Sequence, residues 1–179
     1  PKIFQGTDRP IAVMIDNHIG AVPQAGLNDA YIVYEIIVEG GETRLMALFK
    51  GTDLDKIGPV RSARHYYLDY ALENDAIYVH FGHSPQAESD IKSLAVEDIE
   101  GIKRYSTEFW RTKDKSAPHN VATSTEAILN IAKNYGYETT STKKSVLKYV
   151  ADPVNLKSNI EATDVIIPYS TSNTEEYEY

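Results

Sequence analysis

The sequence predicts an α/β protein of the mixed α+β kind, with a mixed sheet flanked by helices and the start of a second, smaller β-rich domain. Two observations support this fold class. Short apolar runs that are typical of buried strands alternate with segments in which apolar residues recur at the three- and four-residue spacing of a helix. In addition, the chain has 179 residues, of which 42% are hydrophobic, so it is long enough to bury a core of its own.

The composition excludes several classes of function. The formal net charge is -8, which argues against nucleic acid as a partner, because nucleic-acid binding depends on a surface rich in Lys and Arg. The chain contains no Cys, so this segment has no disulfide, no thiolate metal site and no cysteine nucleophile. No apolar run reaches the roughly 20 residues that span a bilayer. We therefore expect no inserted helix, and because the chain starts at Pro1 we expect any targeting signal to lie upstream.

The first predicted element is a buried strand over residues 10–16. Its apolar residues continue without interruption up to Asp16, and Asn17 follows directly. Ligands of open α/β sheets bind beyond the carboxyl ends of the strands, so Asp16 and Asn17 are candidate site residues by position. The alternative is a simple Asx turn that leads into the next loop.

A β-hairpin is predicted next, with strands over residues 31–38 and 43–50 and a Gly-rich turn between them. Glu35 falls on a mostly apolar face of the first strand, because alternate side chains share a face. A carboxylate on such a face needs a partner, and Arg44, just past the turn, is the candidate. The alternative is an exposed sheet edge whose ion pairs lie at the surface.

The most informative stretch covers residues 57–65 and reads Ile-Gly-Pro-Val-Arg-Ser-Ala-Arg-His. Ser62 is a good N-cap for a helix predicted over residues 61–74, so Arg61 and Arg64 would flank a helix start. A helix N-terminus already carries partial positive charge, so two cations are stable there only with an anion between them. That anion is either a bound phosphate, pyrophosphate or carboxylate, or one of the chain's own acidic side chains.

A second turn of the same kind follows a strand predicted over residues 76–81. It carries Ser84 and leads into a helix that ends near Leu94. A Ser-Pro sequence is an ordinary helix entry, with Ser as the cap and Pro at the first helical position. The alternative is that this turn faces the same cleft as the arginines, which would make Ser84 a ligand-binding residue.

A third candidate region is the loop that follows Pro118. His119 and Asn120 lie there, and packing explains a polar pair in a loop less easily than a functional role does. A capping-box pattern at Thr123 then predicts a helix that runs to about Tyr135. His119 and Asn120 therefore join the candidate residues.

The composition changes after this helix and predicts a boundary between domains. A segment rich in Ser, Thr and Lys is typical of a linker, and the short β-like pieces that follow are too few to bury a core alone. The predicted units are an N-terminal α/β domain over residues 1–138, a linker over 139–151 and the incomplete start of a C-terminal β-rich domain over 152–179.

Several stretches together resemble the YerB-like family of bacterial lipoproteins, a family of unknown function. They are residues 12–17, 34–44, 57–64, 80–86 and 117–120, of which Gly-Pro-Val-Arg-Ser-Ala-Arg at 58–64 is the most specific. The resemblance covers roughly residues 8 to 135, and the tail is similar to the start of the family's smaller C-terminal domain. It implies an exported protein that a lipidated cysteine upstream of Pro1 holds on the outer face of the bacterial cell membrane. It carries over no catalytic residue.

The leading functional hypothesis is an extracytoplasmic, lipid-anchored protein that binds an anionic envelope ligand, bearing phosphate or carboxylate, through an arginine-lined cleft. Membrane contact is then expected only through the upstream anchor. The candidate ligand-binding residues are Asp16, Asn17, Glu35, Arg44, Arg61, Ser62, Arg64, Ser84, His119 and Asn120. No dedicated metal site is expected among them, because the loop after the hairpin lacks the Gly and terminal Glu of a calcium loop.

Two alternatives come from other classes of function. One is an enzyme that transfers a phosphoryl-linked group from a lipid pyrophosphate of the cell envelope. Arg61 and Arg64 would neutralise the phosphate, and Asp16 or Glu35 would hold Mg²⁺ or act as the base. The layout has a fainter similarity to the LytR-CpsA-Psr phosphotransferases, although their Arg-Ser-Asp-Thr and Pro-Arg-Asp strings are absent here. The other alternative is a structural lipoprotein that docks a protein partner, with its arginines in internal salt bridges.

Overall fold

A five-stranded mixed sheet forms the centre of the molecule. The computed structural model describes residues 6–104, 107–148, 150, 162–171 and 173–178. The strands of the central sheet are β1 (Ile11–Asp16), β2 (Ile32–Ile37), β3 (Thr43–Phe49), β4 (Ile77–His80) and β5 (Asp98–Glu100). They lie in the order β2-β3-β1-β4-β5, antiparallel on the β2-β3-β1 side and parallel on the β1-β4-β5 side. The predicted α+β class and the predicted hairpin are therefore confirmed.

Helices cover both faces of this sheet. Two of them, α1 (Leu68–Glu73) and α2 (Pro85–Ser93), pack against one face, and α3 (Thr125–Tyr135) packs against the other. None of these helices, nor any other described helix, is long and apolar enough to cross a membrane.

The central strand β1 explains the uninterrupted apolar run in the sequence. Its odd-numbered side chains, from Ile11 to Ile15, pack in the core layer beneath α3. The intervening Ala12 and Met14 pack in the layer beneath α1 and α2. Because both faces of the strand are buried, every position up to the carboxyl end is apolar.

Two small antiparallel pairs complete the fold. The first joins β6 (Trp110–Arg111) to β7 (Val121–Ala122), and the second joins β8 (Asp164–Pro168) to β9 (Thr174–Glu178). The β8-β9 pair is called the tail hairpin below. Residues 151–161 of the predicted linker and C-terminal unit lie outside the described residues.

The tail hairpin contacts the turn between β2 and β3. The Ser170 hydroxyl donates to the carbonyl oxygen of Gly41 at 2.8 Å, and the side-chain Nδ2 of Asn173 donates to Thr43 Oγ1 at 3.1 Å. The start of the predicted linker is also held, because the Arg9 amide donates to the carbonyl oxygen of Thr139 at 2.8 Å. Both contacts tie the C-terminal part of the chain to the central sheet.

The prediction of a helix over residues 61–74 was wrong at its start. Ser62 does not cap a helix, because a 3₁₀ turn at His65–Tyr67 leads into α1 and Arg64 is still extended. The cause is tertiary hydrogen bonding: the Arg61 amide donates to Met14 O and the Ala63 amide donates to Gly82 O, both at 2.9 Å. These bonds hold the segment extended and override the local capping signal.

The predicted capping box at Thr123 was also wrong, by one residue. The N-cap of α3 is Ser124, whose hydroxyl accepts from the Ala127 amide at 3.1 Å. Thr123 is fully buried, and its hydroxyl donates to the carbonyl oxygen of Glu108 at 2.9 Å. Its amide bonds to Ile57, so this residue belongs to a tertiary contact and is not available as a cap.

Candidate functional site

The site lies at the carboxyl ends of β1 and β4, where the arginine-bearing segment crosses the sheet. The backbone of Arg61 joins both strands: its amide donates to Met14 O, and its carbonyl accepts from the Phe81 amide, both at 2.9 Å. The Asp16 amide also donates to Pro59 O at 2.9 Å. The crossing segment therefore places Arg61 beside the last residue of β1.

Asp16 is the centre of the site. It is only 4% exposed, and its carboxylate meets three groups that carry hydrogen or positive charge. Oδ1 accepts from the His18 amide at 3.1 Å, while Oδ2 lies 2.7 Å from His119 Nδ1 and 3.2 Å from Arg61 Nε. The contact with Arg61 is electrostatic, because Arg61 Nε is buried without an aligned hydrogen-bond acceptor. The predicted proximity of Asp16, Arg61 and His119 is thus present in the structure.

Two histidine rings are stacked beside this carboxylate. The rings of His18 and His119 are parallel to within 10°, with centroids 4.2 Å apart. The Gly20 amide donates to His18 Nδ1 at 2.9 Å. A Cβ atom at Gly20 would lie 3.2 Å from His18 Nδ1 and 3.3 Å from His119 Cδ2, so the glycine allows the loop to pack closely on both rings.

These contacts fix where the ring protons lie in neutral histidines. His18 Nδ1 accepts a hydrogen bond, so its proton is on Nε2. His119 Nδ1 faces a carboxylate and donates to it, so the lone pair of this ring is on Nε2. The stacked rings therefore combine a fixed donor with a fixed proton acceptor.

A second cluster surrounds Glu35 on the neighbouring strands. The Thr43 hydroxyl donates to Glu35 Oε1 at 2.6 Å. The side-chain Nδ2 of Asn17 donates to Glu35 Oε1 at 3.2 Å and to Thr43 Oγ1 at 2.8 Å. The expected pairing of Glu35 with Arg44 was wrong. Ile36, not Glu35, lies opposite Arg44 in the β2-β3 register, so the Glu35 and Arg44 side chains are on opposite faces.

Burial raises the pKa of Glu35 above its ordinary value of 4.5, and the charge of Glu175 adds to the effect, while the Thr43 and Asn17 hydrogen bonds oppose it. The folded state therefore favours the protonated form. It loses stability from this group as the pH rises from 4.5 through the raised pKa. We expect Glu35→Gln, which keeps an accepting oxygen, to gain stability relative to wild type between pH 4.5 and pH 7 in urea unfolding.

Glu39→Gln is the matched control, because the pKa of Glu39 is shifted in the opposite direction from that of Glu35. A hydrogen bond from Arg64 is the main cause that lowers the pKa of Glu39 from 4.5 to about 2. Glu39 therefore contributes stability above pH 4.5 that is lost as the pH falls towards 2, by a small amount because its side chain is 67% exposed. If both variants changed stability with pH in the same direction, the environment assigned to Glu35 would be incorrect.

The guanidinium groups of Arg44, Arg61 and Arg64 differ in how many hydrogen bonds and ion pairs they form within the protein. Arg64 forms a two-pronged contact with Glu39, at 2.7 Å from Nε and 2.9 Å from Nη2. Arg44 is 6% exposed, and its one hydrogen bond to the described residues goes from Nη1 to Ser62 O at 2.8 Å. Burial, followed by the charges of Arg64 and Arg61, lowers the pKa of Arg44. Positive charge is therefore in excess around Arg44 and Arg61.

Three predicted site residues, Ser62, Ser84 and Asn120, form hydrogen bonds that hold the fold. The Ser84 hydroxyl caps α2 by accepting from the Ala87 amide at 3.2 Å, as an ordinary helix entry does. Asn120 is 7% exposed and binds within its own loop region, accepting from Arg111 at 2.6 Å. The Ser62 hydroxyl donates to Phe81 O at 3.1 Å, so this side chain holds the crossing segment.

Sequence reasoning missed His18 and Thr43. His18 follows Asp16 and Asn17 directly, so its place after a buried strand was a usable signal. Thr43 opens β3, and its role depends on partners in two other segments, Asn17 and Asn173. No local pattern in the sequence marks such a residue.

A large cavity, of about 700 Å³, lies at the opposite edge of the sheet around Arg9. The Arg9 guanidinium there is already bonded to Asp75 O at 2.7 Å, to Glu138 O at 3.2 Å and to the Glu97 carboxylate. Hydrogen-bond donors without an acceptor are found instead at the carboxyl end of β1, beside Asp16, and we therefore place the candidate site there.

In the described part of the chain, no group of three or more His, Asp or Glu side chains is arranged to hold a metal ion.

Comparisons with known proteins give one consistent relationship. Residues 3–138 match a family model described as "Protein of unknown function (DUF3048) N-terminal domain". The chain is 36% identical over 176 residues to the "Putative lipoprotein YerB" of Bacillus subtilis (strain 168), covering 96% of this chain and 52% of that protein. It is also similar to the crystal structure of the YerB protein from Bacillus subtilis, with a TM-score of 0.84 and 35% identity over 96% of this chain and 57% of that one. The chain spans about half the length of the relatives it matches.

Proposed function

The chain belongs to the DUF3048 family of YerB-like proteins, and from this premise we propose that it is an extracytoplasmic, lipid-anchored protein that binds a phosphate-bearing ligand. The ligand site consists of Arg44 and Arg61, with Asp16 and His119 at its border. The anchored location is supported by the name of the Bacillus subtilis relative, "Putative lipoprotein YerB". Since this chain covers about half of that relative, the anchor is proposed to lie in another part of the full protein.

The observation that supports ligand binding most directly is the surplus of hydrogen-bond donors. A guanidinium carries five N–H donors. Within the described residues, Arg44 donates to one acceptor and Arg61 makes no aligned hydrogen bond, although it lies 3.2 Å from Asp16 Oδ2. Of these donors Arg61 Nε is buried without an aligned acceptor, and such a donor costs about 1 to 3 kcal/mol. An oxyanion that accepts from both guanidinium groups would remove that cost.

The charge balance supports the same proposal. Arg64 is neutralised by Glu39, and Asp16 offsets the charge of Arg61. No carboxylate among the described residues forms an ion pair with Arg44. Burial and then the charges of Arg64 and Arg61 lower its pKa, and the charge of Asp16 opposes them only in part. A phosphate beside Arg44 would supply the missing negative charge, and the planar guanidinium is well suited to bind two of its oxygens.

Thermal unfolding in the presence of inorganic pyrophosphate tests this proposal. We expect pyrophosphate to raise the midpoint, because a ligand at about 100 times its dissociation constant stabilises a protein by about 2.7 kcal/mol. Arg44→Lys and Arg61→Lys keep the positive charge but lose the planar fork, so we expect both variants to fold and to lose most of the shift. Sulfate at the same ionic strength separates specific binding from general salt effects.

Arg64→Lys is the matched control, because Arg64 lies in the same segment but is already paired with Glu39. We expect this variant to retain the pyrophosphate shift. An absence of any shift in the wild-type protein would contradict the proposal, and the arginines would then be internal supports of the fold. An equal loss of shift in all three variants would show that the site has been assigned to the wrong residues.

A further inference from the structure

We infer that His119 is a general base, positioned by Asp16, that activates water for the hydrolysis of a phosphoanhydride held by Arg44 and Arg61. This inference rests on the proposed anion site and adds a reaction to it. His119 would be the catalytic residue, because its Nε2 would contact the reacting water. Asp16 would be a positioning residue, because it acts through the imidazole.

The orientation of His119 carries the first step of the argument. Its Nδ1 lies 2.7 Å from Asp16 Oδ2, which leaves the lone pair on Nε2. The Asp16 side chain is 5% exposed and that of His119 is 19% exposed, so the carboxylate is shielded while the imidazole reaches the surface. A buried carboxylate behind a partly exposed imidazole is the arrangement in which histidine accepts a proton and the resulting imidazolium is stabilised.

The ring is also prevented from turning away. His18 stacks on it at 4.2 Å, and the loop at Gly20 packs against both rings. The ring is therefore held by the hydrogen bond to Asp16 and by stacking on His18. Such positioning is the requirement for efficient proton transfer at one fixed point.

The base and the anion site are adjacent. Arg61 Nε and His119 Nδ1 contact the same oxygen of Asp16, at 3.2 and 2.7 Å. A phosphoryl group bound by Arg61 would therefore lie beside the Asp16–His119 pair. Among the described residues, Asp16 from β1 and His18 from the loop after β1 contact the His119 ring, and Arg61 from the crossing segment shares its Asp16 oxygen.

The reaction balances with water as the only co-reactant. His119 Nε2 accepts a proton from water while the water oxygen forms a bond to phosphorus. The bond from phosphorus to the bridging oxygen breaks, and its electron pair leaves with the departing phosphate, whose negative charge the arginines offset. Phosphate leaves as an anion without first being protonated, so an anhydride suits a site with one base. The His18 Nε2 proton is available to donate a hydrogen bond to a phosphoryl oxygen.

Two phosphorus-31 NMR assays test the inference, one with inorganic pyrophosphate and one with farnesyl pyrophosphate, each with and without Mg²⁺. We expect the wild-type chain to release phosphate from at least one of them, and the reactive compound distinguishes a free from a lipid-borne ligand. His119→Asn preserves an N–H donor towards Asp16 but has no base. We expect it to lower kcat by at least about 100-fold with little change in KM, because general bases contribute about 100- to 10,000-fold.

His65→Asn is the control, because His65 is an exposed histidine outside the site. We expect it to retain wild-type turnover. Nitrogen-15 NMR of the histidine rings should show His119 protonated at Nδ1 and His18 protonated at Nε2.

The possible failures are distinguishable. If pyrophosphate binds to the wild-type protein but neither compound releases phosphate, the inference is overturned and the binding proposal stands. If pyrophosphate does not bind at all, both fail. Turnover that His119→Asn leaves unchanged would overturn the role of His119, whatever the binding result.

Discussion

Asp16→Ala is expected to lower the free energy of unfolding by about 3 to 5 kcal/mol, the usual cost of removing one partner from a buried ion pair. Asp16 is 4% exposed, and one carboxylate serves Arg61, His119 and the His18 amide. Its removal leaves the Arg61 cation without a counter-charge beside the ends of β1 and β4. Urea unfolding at pH 7, followed by circular dichroism, measures the change.

Asp114→Ala is the matched control for this substitution. Asp114 forms an ion pair with Lys56 at 3.4 Å, but both side chains are about half exposed. Solvent screens such a pair, so we expect no measurable change in the unfolding midpoint. A loss below about 1 kcal/mol for Asp16→Ala, comparable to a surface pair, would mean that Asp16 does not hold Arg61 and His119 together.

Gly58→Ala is the second substitution with a large expected effect, at least about 2 kcal/mol from backbone strain and overpacking together. Gly58 has φ +147°, and a Cβ atom there would lie 2.6 Å from the carbonyl oxygen of Val121. That oxygen accepts from the Val60 amide at 2.7 Å and cannot move freely. The substitution should therefore displace the crossing segment that carries Arg61, and it should weaken pyrophosphate binding as well as stability.

Gly40→Ala separates the two causes. Gly40 also has a positive φ, +76°, but a Cβ atom there would meet no atom within 4 Å. It therefore carries the conformational cost alone, about 1 kcal/mol. Denaturant midpoints of both variants give the difference, which measures the contact with Val121 together with the extra conformational cost of φ +147° over φ +76°. Equal losses would show that the backbone near Val121 yields and that the contact is unimportant.

The central sheet was predictable because its signals are local. The apolar run of β1 and the two strands around the Gly-rich turn each lie within a few consecutive residues. The start of α1 was not predictable in this way. Ser62 has the local chemistry of a cap, but hydrogen bonds to Met14 and Gly82, which are distant in sequence, hold its neighbours extended. Tertiary backbone pairing is stronger than a capping preference of about 1 kcal/mol.

In the candidate site, too, local sequence signals identified single residues but not the contacts between them. Asp16 and His119 were predicted from their positions after a strand and in a loop, Arg61 was predicted from an expected helix start, and all three were assigned to one cleft. Their mutual contacts join residues up to 103 positions apart, so no sequence window contains them. The wrong pairing of Glu35 with Arg44 has a related cause. Register places those two side chains on opposite faces of the β2-β3 pair, and register is a property of the assembled hairpin.

One hydroxyl group joins the candidate site to the C-terminal part of the chain. Thr43 Oγ1 donates to Glu35 and accepts from both Asn17 and Asn173, the last of which lies in the tail hairpin. Free-energy coupling between two sites is reciprocal. A ligand that alters the Thr43 hydrogen bonds must therefore change how tightly the tail hairpin docks. Docking of the hairpin must change the affinity for that ligand by the same free energy. A fluorophore on the hairpin would consequently report changes in the hydrogen bonds around Glu35 and Thr43.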